Sequence, residues 1–152
     1  MVTPIHYTDR NGALELSTDP ARLERAMIHE YLGVHSYWAK GVPRAVIDRA
    51  IDHSLCFGVY RGDAQVAFAR VVTDRATFAY LADVFVAPSA QGEGMGKWMI
   101  ASIMRHPDLQ GLRRFLLATR DAHSLYTRFG FAPLSNPSRF LERFDPDVYA
   151  AR

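Results

Sequence analysis

The chain has 152 residues, 49% of them hydrophobic and 22% charged, which excludes an intrinsically disordered chain and allows a core without staples. Eighteen basic residues against sixteen acidic ones leave a net charge of +2, too balanced to argue for a nucleic-acid partner. One cysteine excludes an internal disulfide, and no apolar run is long enough to span a bilayer, so no membrane partner is expected and a cytoplasmic location is the default.

The opening stretch "IHYTDRNGALELSTD" reads as a strand, a turn at Asn11-Gly12 and a second strand. Asp19 and Pro20 then have the signature of a helix start, with Leu23, Met27 and Tyr31 at helical spacing. "VPRAVIDRAIDHS" predicts a second helix. From residue 55 to 87 three β-rich runs are separated by "RGD" and "TDRA", both hairpin turns, so an antiparallel meander is expected. Cys56 lies in the first run and reads as a buried small hydrophobe. "EGMGKWMIASIMRH" predicts a helix ended by Pro107, and "RRFLLAT" a short apolar strand covered on both faces and commonly parallel. "DAHSLYTRFG" predicts a short helix closed by Gly130, and "FAPL" with "RFLERF" a last hairpin. The fold class expected is α/β: residues 1–152 form a single domain with one mixed, mostly antiparallel sheet and helices on both faces.

The segment "PSAQGEGMGKW" carries the chemistry. Gly92, Gly94 and Gly96 alternate and Lys97 follows. A triphosphate loop, G-x-x-x-x-G-K-[ST], needs glycine at 91 and a hydroxyl at 98; Gln91 and Trp98 fail both tests. A dinucleotide turn, G-x-G-x-x-G, fails at Lys97 and Met99. The general physics survives: backbone N–H groups from Gln91 through Glu93 and Met95 to Lys97 can converge at a helix N-terminus. Alternate glycines let a pyrophosphate-sized anion approach.

"DVFVAPSAQGEGMGKWMI" resembles the acyl-CoA motif of the GNAT superfamily of N-acetyltransferases, through Val84, Val86, Pro88 and the run Gln91 to Gly96. "DAHSLYTRFGF" is similar to the second motif of that family, A-x-x-x-Y-x-x-x-G-F, at Ala122, Tyr126, Gly130 and Phe131. Thr119 departs from the asparagine the family often has there. The resemblance implies a GNAT-like fold, acetyl-CoA as co-substrate and no metal. It also implies a pantetheine arm bound by the backbone of Phe85 and Val86, one of which donates to the thioester oxyanion. Dimers are frequent in the family, so a homodimer is a further expectation.

Tyr126 is then the expected general acid, since a phenol matches a departing thiolate in basicity. Asp83 interrupts an apolar strand, where a carboxylate is costly to bury without a partner or a task. Strand alternation places it on the face of Leu81 and Phe85. It reads as the general base or amine anchor, or else as a structural partner for an arginine such as Arg70. His35, Tyr37 and Trp38 lie where the family walls the acceptor, and aromatics suit a cationic amine; a hydrophobic loop anchor is the plainer role. Asp74 reads as ordinary turn chemistry. His6, His29, His53, His106 and His123 read as surface or helix-end residues without metal spacing. The expected reaction is acetyl transfer from acetyl-CoA to the primary amine of a small molecule, directly, in a ternary complex. The alternatives are an acyl-CoA sensor without turnover and acetylation of a protein lysine or N-terminus.

Overall fold

The computed structural model describes residues 3–150. Its six strands form one sheet in chain order: β1 (His6–Thr8), β2 (Glu15–Ser17), β3 (Leu55–Arg61), β4 (Ala64–Thr73), β5 (Phe78–Val86) and β6 (Arg114–Leu117). All neighbours are antiparallel except β5 and β6, which are parallel. The helices are α1 (Arg25–Glu30), α2 (Arg44–Asp52), α3 (Met95–Met104) and α4 (His123–Thr127). This is the mixed α/β architecture expected.

Strand alternation sorts the meander into two cores. Phe57, Val59, Ala67, Ala69, Val71, Ala79 and Leu81 face α3, whose Met95, Met99, Ile100 and Ile103 are buried against them. Burying each of these large side chains contributes about 2 kcal/mol. Cys56, Phe68 and Phe85 face α1 and α2, through Ile28, Leu32, Ile47 and Ile51. Cys56 is thus the core hydrophobe expected, and burial pushes its thiol up to about 12.

Local chemistry sets the element ends. Asp19 caps its turn, its carboxylate accepting from the Ala21 N–H at 3.0 Å. That turn is only a 3-10 turn, Pro20–Arg22, because Leu23 is extended; α1 begins afresh at Arg25. One π-helical turn, Tyr31–His35, continues α1. Asp74 accepts from the Thr77 hydroxyl and from the N–H groups of Ala76, Thr77 and Phe78, as turn chemistry predicts, and these bonds, the hydroxyl's first, hold its carboxyl well below the usual range. His106 takes the helix-end role of the two expected but is buried, not at the surface: its Nδ1 accepts from the Asp108 N–H at 3.0 Å just past the end of α3.

Two expectations at the C-terminal end need correction. Residues 131–144 form no hairpin strand; their one regular element is a 3-10 turn, Pro137–Arg139. In consequence β6 is the end of the sheet and is only partly buried, not covered on both faces. Its apolar sequence arises from one packed face and a bare edge.

Candidate active site

The site lies where β5 and β6 part. Their pairing runs from Phe78↔Arg114 to Leu81↔Leu117 and stops, while β5 continues to Val86. Beyond Leu81, β5 therefore has an open edge facing α3 and α4.

A bulge creates the change. Arg70 pairs with Ala82 and Phe68 with Phe85, so Asp83 and Val84 together oppose Ala69. Asp83 takes the left-handed conformation, φ 54°. This corrects the alternation argument: Asp83 does not share a face with both Leu81 and Phe85. Leu81 packs toward α3, Phe85 toward α1 and α2, and Val84 and Val86 toward α3. The extra residue flips the parity of the strand.

Past the bulge, the Ala87 N–H donates to the Val66 carbonyl at 2.8 Å. By ladder alternation Phe85 also turns its backbone to β4, and Val86 turns its own to the open edge. The Gln91 side chain donates to the Val86 carbonyl at 3.0 Å, which leaves the Val86 N–H facing the opening. Of the two backbone donors expected here, the geometry favours Val86; Phe85 contributes a buried ring, stacked on Tyr31 at 4.0 Å and 9°.

The glycine turn follows. Gly92 and Gly94 have φ of 82° and 74°, and a Cβ at either would meet nothing within 4 Å. Gly94 is the left-handed N-cap of α3, without a side-chain cap. At the start of α3, among the described residues, no protein acceptor meets the backbone N–H of Gly94, Met95, Gly96 or Lys97, while Gln91 and Gly92 lie in a hydrogen-bonded turn. Four successive free donors at a helix N-terminus form an anion site. The one carboxylate in the turn, Glu93, is drawn to Arg61 at 3.1 Å, and the Lys97 side chain is exposed. The Met95 side chain is core, so only its backbone faces the site.

Tyr126 on α4 is 7% exposed. Burial, and secondarily the nearby Tyr37 phenol, raise its pKa, so it holds its proton at neutral pH. Its hydroxyl has no protein partner among the described residues, and it lines a cleft of about 1150 Å³ with Tyr80 and Thr119. Thr119 explains its own departure from the family pattern: its hydroxyl accepts from the Ala122 N–H at 3.1 Å and fixes the start of α4.

The aromatic wall sits on a braced loop. Ser36 donates to the Leu32 carbonyl and accepts from the Ala39 N–H; Gly41 N–H donates to the Gly33 carbonyl at 2.8 Å. Trp38 Nε1 donates to Asp83 Oδ1 at 2.8 Å, and Arg70 Nε donates to Asp83 Oδ2 at 2.7 Å. Trp38 meets Tyr37 edge-on at 5.0 Å, and the Tyr37 hydroxyl accepts from the Arg120 N–H at 3.1 Å. Asp83, Trp38, Tyr37 and Tyr126 are thus brought together, with both Asp83 oxygens already engaged. His35 stands apart, exposed, 5.7 Å from the Tyr31 ring. Tyr31 and Arg120 were not foreseen. Helical spacing marked Tyr31 only as core, and Arg120 carries no signal without the fold. Among the described residues no cluster of three or more His, Cys, Asp or Glu could hold a metal ion.

Comparison with known proteins agrees with this geometry. Residues 52–133 match the GNAT acetyltransferase domain. A Gibberella zeae protein provisionally named an acetyltransferase is 35% identical, over 76% of each chain. The solved structure of a Xanthomonas campestris protein provisionally placed in the GNAT family is 52% identical with a TM-score of 0.89, covering 91% of this chain and 97% of that one. A Clostridium acetobutylicum protein, provisionally named an acetyltransferase and solved with acetyl-CoA, shares the fold at 13% identity and a TM-score of 0.53, covering 82% of this chain and 86% of that one. The domain match and the identity to these relatives agree: the chain belongs to the GNAT family of acetyltransferases.

Proposed function

We propose that the chain transfers an acetyl group from acetyl-CoA to the primary amine of a small molecule, directly, with both substrates bound. The carrying observation is the run of unpartnered N–H groups from Gly94 to Lys97 beside an open strand edge. It offers an anion cradle for the pyrophosphate and an extended backbone for the pantetheine arm. The activated acetyl group arrives as a thioester, which supplies the leaving thiolate.

The residues divide the work. The glycine-turn amides and Lys97 bind the pyrophosphate. Gln91 fixes the Val86 carbonyl, and the Val86 N–H is left to stabilise charge developing on the thioester oxygen. Tyr126 holds the proton that the leaving thiolate needs. Asp83 acts here as a positioning residue: it accepts from Trp38 and Arg70 and fixes the aromatic wall. Tyr37 and Trp38 cover the apolar side of the acceptor, and His35 lies at its outer margin. The amine gives its proton to water, so the rate of a good acceptor rises with pH toward the pKa of that amine.

The test is thiol release from acetyl-CoA across a panel of small amines, with lysine peptides in parallel. Turnover confined to small amines supports the proposal. Turnover only with peptides overturns the acceptor class, and binding of acetyl-CoA without any turnover overturns catalysis.

A further inference from the structure

The glycine turn carries a charge of the wrong sign. Glu93 stands between Gly92 and Gly94, one residue before the left-handed cap of α3. A carboxylate so placed can spoil an anion site in two ways. It repels an incoming phosphate. It can also fold back onto the free amides themselves, because acidic side chains are stabilised at helix starts.

The carboxylate does neither task for α3. The helix has no side-chain cap, and its amides from Gly94 to Lys97 meet no protein acceptor among the described residues. Glu93 Oε2 instead accepts from Arg61 Nη2 at 3.1 Å. Among the described residues, neither side chain has another ion pair.

The sheet, not the turn, delivers Arg61. Along β3, Phe57, Val59 and Arg61 alternate onto one face; the first two pack toward α3, and the third falls just beyond that core. The neighbouring strand β4 is tied to the segment leading into the turn, since the Ala87 N–H donates to the Val66 carbonyl at 2.8 Å. The β3–β4 hairpin therefore lies beside the glycines, and the contact joins residues 32 apart in sequence.

Stability does not account for the pair. Its side chains are 46% and 50% exposed, and ion pairs so exposed contribute little to folding. Its consequence falls on the anion site next to it.

We propose that Arg61 is a positioning residue for the cofactor: it keeps the Glu93 carboxylate off the α3 amides, so that the pyrophosphate finds them free. Arg61 acts through Glu93 and does not touch the cofactor. The inference rests on the acetyl-CoA reading above.

The test is calorimetric titration of acetyl-CoA into wild type, Arg61→Ala, Glu93→Gln and the double variant, with kcat, KM and urea unfolding measured on each. Arg61→Ala releases the carboxylate, and the Kd and KM for acetyl-CoA rise about tenfold, as for one carboxylate about 7 Å from a doubly charged phosphate group near water. Its kcat at saturation and its ligand-free unfolding midpoint stay at the wild-type values. Adding Glu93→Gln to Arg61→Ala returns Kd to within about twofold of wild type, a coupling that only a shared mechanism produces. Arg61→Lys, which keeps the charge, retains most of the affinity. Equal losses from Arg61→Ala with and without Glu93→Gln would mean that Arg61 meets the cofactor itself, and would overturn the proposal; no loss in either background overturns it too. A wild type that binds no acetyl-CoA overturns the cofactor reading as well, and that failure shows before any substitution is made.

Discussion

Substitutions at Asp83 separate three contributions that meet in one side chain. Asp83 is paired with Arg70, whose side chain is 19% exposed against 11% for its own; it accepts from Trp38; and it occupies φ 54°. Asp83→Asn keeps an acceptor for Trp38 and tolerates the left-handed backbone, so it removes mainly the charge. Breaking a fully buried pair costs about 3–5 kcal/mol, and the cost here falls to about 2 kcal/mol because Arg70 is partly solvated and keeps its 3.2 Å bond to the Ser54 hydroxyl. Asp83→Ala also loses the Trp38 acceptor and places a Cβ without polar compensation in the left-handed region, adding about 1–2 kcal/mol. Asp83→Gly removes that strain, and so falls between the two.

Urea unfolding at pH 7 measures the order. The expected destabilisation is Asn least, Gly next and Ala most, at constant m-value, with the midpoint of thermal unfolding lowered by about 5 °C for Asn. In turnover, Asn raises the KM for the amine and leaves the pH profile of kcat unchanged. Equal losses for Asn, Gly and Ala would refute the strain argument, a neutral Asn the ion-pair argument. A kcat lowered by about 100-fold or more with an altered pH profile would make Asp83 the base and refute the positioning role.

Gly94→Asp puts a carboxylate among the free amides. Wild-type protein at acetyl-CoA a hundredfold above Kd gains about 2.7 kcal/mol, seen in thermal unfolding; the variant gains none, and an undiminished shift would move the pyrophosphate elsewhere. Tyr126→Phe lowers kcat about 100-fold with little change in the KM for acetyl-CoA, measured by thiol release; an unchanged kcat assigns the acid to another group. Stability also falls at high pH. Cys56 and Tyr60 are raised from 9.0 and 10.0 to about 12 by burial, so the unfolded chain releases these protons first. Their stabilisation is whole below pH 9 and is lost between pH 9 and 12, with a slope approaching two protons. Urea titrations across that range check it, and Cys56→Ala removes the first part of the slope.

Much of the molecule was legible because local rules decided it. Period-two alternation drew β3 to β5, and Gly12 and Gly62 marked turns that need positive φ. The glycine run located the anion cradle because few other demands require Gly92 and Gly94 together. What stayed hidden depends on registers and partners. The bulge at Asp83 defeats alternation, which assumes one residue per step. Arg70 becomes the neighbour of Asp83 only once β4 and β5 are paired. The segment 139–144 has the composition of a strand, but composition does not supply the edge on which it would lie. Leu23 interrupts an apolar period that otherwise reads as one helix, because the Asp19 turn ends before α1 begins.

The bulge also has a counting consequence. One added residue lets β5 present apolar side chains to both layers while turning the Val86 amide away from the ladder. Delete it, and one half of the strand would have to roll over: either Leu81 would leave the α3 layer, or Phe85 would leave Tyr31 and the free amide would return to β4. Single-residue insertions and deletions between Ala82 and Phe85 are therefore not graded perturbations. They are odd-even switches between a sheet with a doorway and a sheet without one.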